Sequence, residues 1–374
     1  MRWLFWAAVV ILGYTYFGYA LWLWIRCRWR TRPIRSGPYC PPLSILMVVR
    51  DEASVLERKL NNLLQLDYPE DRREILVVSD GSTDDTNRIL TAAAETSKIR
   101  TFLSPEPQGK AAGLNNAINA AAGEIVVFTD ARQKIEENAV KLLLENFADP
   151  EVGCASGELM LGDPDSGEHA RGTGSYWKFE KQIRRMESRS GSVIGATGAL
   201  YAARRALLVT LPAETILDDV YLPMHVLQQG RRVVFDPRAR AWDVPDLGQR
   251  REFARKVRTL TGNYQLLRLA PWLLRGSNPE QFAFLSHKLL RLAAPFALGV
   301  ALATSLLASG TVYKVALGLQ LTFYALSGLR LLGAKGGPLA RPADAAFTFV
   351  MLNAAAMVAF ANFVTGRKAV WAAR

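Results

Sequence analysis

The distribution of apolar positions divides the chain into a membrane-like start, an alternating middle and a membrane-like end. Residues 3–25 include no charged side chain, and a helix of that length covers the ~30 Å hydrocarbon core of a bilayer. Tryptophans lie near both ends of this run, where indole rings suit the interface. The pattern predicts a membrane-spanning helix over residues 1–26. A cleaved signal peptide is the weaker alternative, because its apolar core is shorter and follows a basic segment.

The carboxyl-terminal region contains three further apolar runs, over residues 292–313, 315–334 and 345–366. Only Arg330 interrupts the second run, and it lies near an end from which it could snorkel to the interface. We therefore expect about three membrane segments within residues 286–374, after basic interfacial helices over residues 247–285. Arginines are concentrated at positions 26–35, around the start of a basic linker over residues 27–42. This concentration of positive charge predicts that the middle of the chain is cytoplasmic.

The expected number of spans conflicts with the basic residues at the end of the chain. Three full spans after a cytoplasmic domain would leave the carboxyl terminus outside, whereas Arg367, Lys368 and Arg374 favour the inside. Either the positive-inside rule fails here or one segment is re-entrant.

The middle of the chain, residues 43–246, alternates strand-like and helix-like patterns. Short apolar runs over residues 43–49, 75–79 and 125–129 predict strands, and residues 51–66, 83–94 and 111–121 have helical spacing. This βα order predicts an α/β domain with a mostly parallel sheet covered by helices. Ligands of such sheets bind beyond the carboxyl ends of the strands.

Composition and charge exclude several classes of protein. Half of the 374 residues are apolar, which excludes a disordered chain. Three scattered cysteines and three scattered histidines exclude a disulfide framework and a histidine-based zinc site. The net charge of +12 first suggests nucleic acid. The basic residues, however, concentrate in residues 26–35 and 250–268, where they fit a membrane face, so we expect no nucleic-acid partner.

Carboxylates follow three of the predicted strands. Asp51 and Glu52 follow the first strand, Asp80 closes the second and Asp130 closes a later one. Carboxylates that share a crevice need hydrogen-bond donors or cations, which a nucleotide base, a ribose or a metal ion supplies. Helix capping is the competing interpretation. It suits Asp84 and Asp85, and it suits Asp80 and Asp130 less well because these two residues end strands.

A glycine-bearing turn, Gln108-Gly109-Lys110, leads into the third predicted helix. It lacks the spacing of a P-loop. A lysine at a helix start suits a phosphate, although a solvated turn explains this motif equally well.

The order of these motifs resembles glycosyltransferase family 2, whose members have the GT-A fold and use nucleotide-activated sugars. The similarity extends to the acidic segment 216–222 and to the basic segment 255–258, which resemble motifs of the membrane synthases of poly-N-acetylglucosamine, hyaluronan and cellulose. The residues that carry the resemblance are Asp51, Glu52, Asp80, Lys110, Asn115, Asp130, Asp218, Asp219, Arg255 and Arg258.

The resemblance implies a role for each of these residues. Asp51, Glu52 and Asp80 would hold the base and ribose, and Lys110 and Asn115 would lie at the nucleotide. Asp130 would face the sugar diphosphate and help to hold Mg²⁺ or Mn²⁺. Asp219 would be the general base, beside Asp218, while Arg255 and Arg258 would bind the diphosphate. The loop that faces the acceptor would contain Gly195, Thr197, Gly198 and Tyr201.

Simpler interpretations remain for the last two motifs. Asp218 and Asp219 could be solvated residues at a helix start, and the basic segment could be an interfacial helix that meets anionic lipid.

Two departures from the family pattern bear on these roles. Arg132 stands where the family's metal motif has its second acid, and arginine cannot bind a cation. Asp130 would then act with the diphosphate oxygens alone or with another acid, unless Arg132 simply pairs with Asp130. Arg255 and Thr259 replace the glutamine and tryptophan of the Gln-x-x-Arg-Trp motif of polymer synthases.

The sequence thus predicts an inverting membrane glycosyltransferase at the cytoplasmic face of the cell membrane. It would transfer sugar from a nucleotide sugar, expected to be a UDP-sugar, to a lipid-linked or saccharide acceptor for cell-surface glycan synthesis. A processive polysaccharide synthase of the same family is the first alternative. A non-catalytic membrane subunit that binds a nucleotide sugar is the second, and Arg132 is the feature that favours it.

Overall fold

The computed structural model describes residues 1–163, 168–169, 175–244, 248–331 and 339–367. The chain forms two compact units. One contains Met1–Trp24, Asp246–Arg268 and Phe282–Arg374, and the other contains Ile25–Pro245 and Leu269–Gln281.

The second unit is built on one mixed sheet. Its strands are β1 (Leu43–Val49), β2 (Arg73–Asp80), β3 (Ile99–Ser104), β4 (Ile125–Phe128), β5 (Lys134–Ile135), β6 (Val152–Asp163), β7 (Glu168–His169), β8 (Tyr201–Arg204) and β9 (Arg232–Asp243). The strand order is β3-β2-β1-β4-β8-β6-β9-β5, and β7 pairs with β6. Strands β1 to β4 are parallel, β8 is antiparallel to both neighbours, and β6 is parallel to β9. The predicted α/β fold with a mostly parallel sheet is confirmed.

Amphipathic helices connect and cover the strands. They are α3 (Ala53–Leu64), α4 (Thr86–Thr96), α5 (Lys110–Ala120), α6 (Ala139–Leu144), α7 (Ser175–Ser190) and α8 (Asp218–Gln228). Every residue of β1 is buried, and Leu56, Leu60 and Leu63 of α3 belong to the same core cluster. Burying one such leucine contributes about 1.5–3 kcal/mol, so the helix is held mainly by this face.

The strand register gathers the predicted acids at one edge of the sheet. Val49 of β1 pairs with Ser79 of β2, and Leu46 of β1 pairs with Phe128 of β4. The residues that follow these strands therefore leave the sheet on the same side, because parallel strands share one carboxyl end.

The remaining helices are α1 (Arg2–Gly13), α2 (Tyr19–Trp29), α9 (Gln249–Leu269), α10 (Gln281–Ala283), α11 (Leu290–Leu307), α12 (Thr311–Leu331) and α13 (Ala340–Val364). A π-helical turn joins α1 to α2, and another joins α10 to α11. Helix α1 packs on α11, and α12 packs on α13. The rings of Phe5 and Tyr313 meet edge to face at 5.0 Å.

Three helices of the described ranges are long and apolar enough to cross a membrane: Arg2–Trp29, Gln281–Leu307 and Ala340–Val364. The segment expected over residues 315–334 forms α12, but α12 is not among them. Its sequence includes Lys314, Gln320 and Arg330, and Arg330 pairs with Asp344 of α13. Residues 332–334, Lys368 and Arg374 lie outside the described residues.

Candidate functional site

The carboxylates that follow β1 and β2 accept hydrogen bonds from the backbone. Asp51 Oδ1 accepts from the Thr83 N–H at 2.7 Å, and Asp51 has a φ of 52°, an unusual conformation for a residue other than glycine. Asp84 accepts from the N–H of Ala53 at 3.1 Å and of Thr86 at 2.9 Å. Asp84 therefore caps the starts of both α3 and α4, as the capping interpretation predicts.

The neighbouring acids differ in their surroundings. The Glu52 N–H donates to Thr86 Oγ1 at 2.9 Å, which ties the start of α3 to α4. Asp85 pairs with Arg88 at 3.3 Å on the exposed surface.

Asp80 fixes the turn that starts α5. Its carboxylate is buried and accepts from the Gln108 N–H at 2.6 Å and the Gly109 N–H at 3.0 Å. Gly109 has a φ of 95°, which glycine adopts without strain. A Cβ at Gly81 would lie 2.4 Å from Pro107 N, so the chain after β2 passes closely beneath this turn. Asp80 and the two glycines thus determine where Lys110 begins its helix.

A second group of carboxylates surrounds Lys110. Lys110 Nζ lies 2.9 Å from Asp130 Oδ1 and 3.1 Å from Asp218 Oδ1. Asp219 Oδ2 accepts from the Gly198 N–H at 3.0 Å. A Cβ at Gly198 would lie 3.3 Å from Asp130 Oδ2 and 3.5 Å from Asp219 Oδ2, so both carboxylates border this glycine. The structure therefore brings together five of the predicted residues, from α5, the loop after β4, α8 and the loop before β8. We call Lys110, Asp130, Asp218 and Asp219 the lysine-carboxylate cluster.

The charges in this cluster support one another. Burial lowers the pKa of Lys110, but the charges of Asp130 and Asp218 outweigh it and raise that pKa above its ordinary value. The lysine is therefore charged throughout the physiological range, and it offsets part of the repulsion among the carboxylates.

Tyr201 does not face an acceptor, which corrects the role expected for it. The residue is fully buried, and its ring stacks on Phe128 with the centroids 4.4 Å apart. Its hydroxyl donates to Asp218 Oδ2 at 3.4 Å. Burial and the charge of Asp218 raise the pKa of Tyr201 well above its ordinary value. The hydroxyl therefore keeps its proton and can donate it in the hydrogen bond to Asp218.

The loop over residues 195–198 wraps the start of α8. Gly195 has a φ of 92°, and a Cβ there would lie 3.0 Å from Val220. The Ala196 N–H donates to the Asp219 carbonyl at 2.6 Å. The Thr197 N–H donates to Ser156 Oγ of β6 at 3.1 Å. These contacts hold the Gly198 N–H in position against Asp219.

Arg132 pairs with Asp243 at the end of β9. Its guanidinium lies 2.9 and 2.7 Å from the two oxygens of Asp243. The suggestion that Arg132 simply pairs with Asp130 is therefore wrong, because Arg132 Nη2 donates to both oxygens of Asp243 and Asp130 pairs with Lys110. Arg132 ties the loop after β4 to β9.

A buried lysine supports the same loop from below. Lys59 Nζ of α3 donates to Thr129 Oγ1 at 2.8 Å and to the Gln133 carbonyl at 2.7 Å, on either side of Asp130. Burial lowers the pKa of Lys59 to about 7, and the charge of Asp130 opposes this shift.

Sequence reasoning missed Lys59, Asp243 and Ser156. A signal existed for Lys59, because it lies at helical spacing from the buried Leu56 and Leu63 and so interrupts an apolar face. Asp243 and Ser156 lie in strands that also contain other polar residues, and only the tertiary pairing reveals their partners.

Two other predicted ligands have different surroundings. The side-chain amide of Asn115 donates to the Leu211 carbonyl at 2.8 Å and accepts from the Leu211 N–H at 2.9 Å. These two hydrogen bonds tie Asn115 of α5 to the backbone of Leu211. Arg255 and Arg258 lie three residues apart on α9, in the unit that contains the apolar helices.

The residues present fit a divalent cation that arrives with a diphosphate. Among the described residues there is no group of three His, Cys, Asp or Glu side chains that could hold a metal ion. The Asp130 side chain is 40% exposed, however, and Mg²⁺ is commonly bound through one or two carboxylates together with substrate phosphates. Asp130 would be the protein ligand of such a cation.

Comparison with known proteins agrees with this arrangement. The sequence pattern of the family described as glycosyl transferase family 2 matches residues 44–211, which span β1 to the turn after β8. A mannosyltransferase from Pyrobaculum calidifontis, solved in complex with GDP-Man and Mn²⁺, has 26% sequence identity and a TM-score of 0.75. The match covers 97% of this chain and 99% of that chain.

The curated relatives are poly-β-1,6-N-acetyl-D-glucosamine synthases. The protein from Staphylococcus aureus (strain COL) is 24% identical over 229 residues, which are 60% of this chain and 55% of that protein. The protein from Staphylococcus epidermidis is 24% identical over 204 residues, or 54% of this chain and 49% of the relative. The chain spans about half the length of the curated relatives it matches.

Proposed function

We propose that this chain transfers a sugar from a nucleoside diphosphate sugar to an acceptor hydroxyl with inversion at the anomeric carbon, and the match of residues 44–211 to glycosyl transferase family 2 supports this proposal. The observation that carries the proposal is the lysine-carboxylate cluster, where carboxylates from the loop after β4 and from α8 meet beyond the end of the parallel strands. Ligands of open α/β sheets bind in this place.

Asp219 is the proposed general base. Its Oδ2 accepts from the Gly198 N–H at 3.0 Å, and this bond orients the carboxylate. Asp219 takes the proton of the acceptor hydroxyl as that oxygen attacks the anomeric carbon. The bond from the anomeric carbon to the diphosphate breaks, and the nucleoside diphosphate leaves with the electron pair. Asp218, which pairs with Lys110, stays in place beside the base.

The leaving diphosphate needs positive charge. Asp130 would hold a divalent cation, which when bound neutralises charge on the diphosphate. Arg255 and Arg258 are the proposed guanidinium partners of the same group, since guanidinium forks match phosphate oxygens. Asp51, Glu52 and Asp80 remain the proposed residues of the base and ribose side. The Asp80 carboxylate would act there through the turn that it holds.

The donor is proposed at the level of its chemical class. The mannosyltransferase of similar fold binds GDP-Man, whereas the resemblance to the membrane synthases favours a UDP-sugar. Both are nucleoside diphosphate sugars. The acceptor is a lipid-linked or saccharide hydroxyl, and Arg255 and Thr259 in place of the polymer-synthase residues favour single transfer over processive synthesis.

The proposed location is the cytoplasmic face of the cell membrane, with several crossings. If the three candidate helices are the spans, the chain crosses the membrane twice between residue 280 and Arg367. Residues 30–280 and Arg367 then lie on the same side, and the basic residues near the carboxyl terminus no longer conflict with the number of spans. The arginines at positions 26–35 support the cytoplasm as that side.

A donor screen tests this function. The full chain in lipid nanodiscs is incubated with Mn²⁺ and a panel of UDP-, GDP- and dTDP-sugars, and release of the nucleoside diphosphate is measured. We expect release from one class of donor by the wild type and none by the Asp219→Asn variant. A ladder of products on a gel would instead support the processive alternative. Nucleotide binding without any release would support the non-catalytic subunit and contradict the proposal.

A further inference from the structure

The Lys110 ammonium lies between two carboxylates, in a position where a metal cation would be expected to bind. Its ammonium bridges Asp130 Oδ1 at 2.9 Å and Asp218 Oδ1 at 3.1 Å. The Asp218 side chain is 7% exposed, and this ammonium offsets its buried negative charge. Asp130 and Asp218 contact the ammonium directly, and the charge of Asp219 also acts on it.

The start of α5 holds the lysine in this place. The Gly109 N–H donates to both oxygens of Asp80, and the positive φ of Gly109 turns the chain into the helix. Lys110 is the first residue of α5. The backbone at Lys110 is therefore held in place by the buried Asp80 carboxylate.

A divalent cation and the ammonium compete for the same carboxylate. A cation bound to Asp130 without a nucleotide would share Asp130 with the ammonium or displace it, and displacement would leave Asp218 buried without its counter-charge. A diphosphate changes this balance, because its oxygens supply further ligands for the cation and a new anionic partner for the lysine.

We propose that Lys110 is an internal counter-ion that keeps divalent cations out of the nucleotide-free site, so that the cation binds only together with the nucleoside diphosphate. This inference rests on the proposed function for the identity of the nucleotide. The order of binding that it implies follows from the ion pairs alone.

Electron paramagnetic resonance of Mn²⁺ tests the proposal without turnover. The full chain in nanodiscs is titrated with Mn²⁺ alone, with Mn²⁺ and UDP, and with Mn²⁺ and GDP, and loss of the free Mn²⁺ signal reports binding. For the wild type we expect weak binding alone and binding at least about tenfold tighter with one of the nucleotides, a change of about 1.4 kcal/mol. For Lys110→Met we expect Mn²⁺ alone to bind at least about tenfold tighter than to the wild type.

Two variants serve as controls. Lys110→Arg keeps the positive charge and should keep Mn²⁺ out. Lys141→Met removes a lysine that pairs with Asp67 at 3.1 Å on the exposed surface, and it should bind Mn²⁺ like the wild type. Tryptophan fluorescence during thermal unfolding confirms that each variant is folded. If Lys110→Met does not fold, Lys110→Gln takes its place.

The outcomes separate this proposal from the proposed function. Equal Mn²⁺ affinity of the nucleotide-free wild type and Lys110→Met would overturn the counter-ion role, even in a chain that transfers sugar. A gain of Mn²⁺ binding in Lys110→Met, in a chain that transfers no sugar from any donor, would overturn the proposed function and leave the counter-ion role intact.

Discussion

Two groups of carboxylates lie beyond the sheet, and they differ in what satisfies them. Asp51, Asp80 and Asp84 accept hydrogen bonds from backbone N–H groups of neighbouring turns. Asp130 and Asp218 pair instead with a lysine side chain. A backbone donor is fixed by the fold, whereas a lysine side chain can rotate away. The first group therefore builds the crevice, and the second group can exchange its partner for a ligand.

This difference shows that an acidic residue after a strand can have one of two roles, either in folding stability or in ligand binding. Breaking a buried carboxylate's backbone bonds costs folding free energy, because the donors lose their acceptor. Replacing a lysine partner by a substrate cation or phosphate costs much less, since one charge replaces another. The comparison predicts that substitutions in the first group lower stability and that substitutions in the second group lower activity.

The largest effect on stability is expected from Asp80→Asn. The asparagine Oδ1 can still accept from the Gln108 and Gly109 N–H groups, but the variant loses the negative charge that strengthens these bonds and places an NH₂ donor where Asp80 Oδ2 accepts from Gly109, so we expect the free energy of unfolding to fall by about 2–3 kcal/mol. Thermal unfolding in nanodiscs measures it. Asp85→Asn is the matched control, because Asp85 pairs with Arg88 on the exposed surface, and it should change stability by less than about 0.5 kcal/mol. A stable Asp80→Asn variant with weakened nucleotide binding would instead favour direct contact with the ligand.

Lys59→Met should alter how stability depends on pH. The pKa of Lys59 is lowered to about 7 in the folded protein, first by burial, while an unfolded lysine titrates near 10.4. Between these values the unfolded chain binds more protons than the folded chain, so stability of the wild type gains up to about 1.4 kcal/mol for each pH unit of increase. The variant lacks this contribution.

Unfolding midpoints of both proteins at pH 6, 7, 8 and 9 check this prediction. The difference in stability between the wild type and Lys59→Met should grow in favour of the wild type above pH 7. Parallel curves over this range would show that Lys59 does not titrate there.

A double-mutant cycle tests the partner of Arg132. Arg132→Gln removes the Arg132 guanidinium from the buried Asp243 carboxylate, and we expect a loss of about 1–3 kcal/mol in stability. Asp243→Asn should couple to Arg132→Gln by about 1 kcal/mol, whereas Asp130→Asn should couple to it by less than about 0.5 kcal/mol. Strong coupling between Arg132 and Asp130 would contradict the contacts that separate these two residues.

The smallest effect is expected from Tyr201→Phe. The variant keeps the stacked contact with Phe128 and loses only the long bond to Asp218, so its stability should change by less than about 1 kcal/mol. Its turnover should remain close to that of the wild type in the donor assay. A large loss of turnover with unchanged stability would restore Tyr201 as a residue of the acceptor site.

The sequence predicted the parallel half of the fold well, because that half is built from local patterns. The strand predicted over residues 43–49 coincides with β1, since its mostly apolar run follows Pro42 and ends before Arg50. Helix α3 begins at Ala53 rather than at residue 51, because Asp51 adopts a positive φ that no pattern reveals. Strands β6 and β9 pair across a long separation, so their partners could not be predicted from local sequence.

The candidate site was predicted in outline rather than in detail. Motif order indicated that Lys110, Asp130, Asp218 and Asp219 belong together. It did not indicate that Lys110 binds the carboxylates themselves or that Asn115 is tied to Leu211. Those contacts depend on how β4, α5 and α8 meet in space, which a single sequence does not report.

The most direct test of the central claim compares Asp219→Asn with Asp80→Asn in the same nanodisc preparation. For each variant kcat for nucleoside diphosphate release, nucleotide affinity and the unfolding midpoint are measured together. Loss of a general base costs about 10²–10⁴-fold in rate. We therefore expect Asp219→Asn to lose at least about 10²-fold in kcat with nucleotide affinity and midpoint unchanged, and Asp80→Asn to lower the midpoint. An Asp219→Asn variant that keeps wild-type kcat would contradict the assignment of the base, and an Asp80→Asn variant with an unchanged midpoint would contradict the division of the carboxylates.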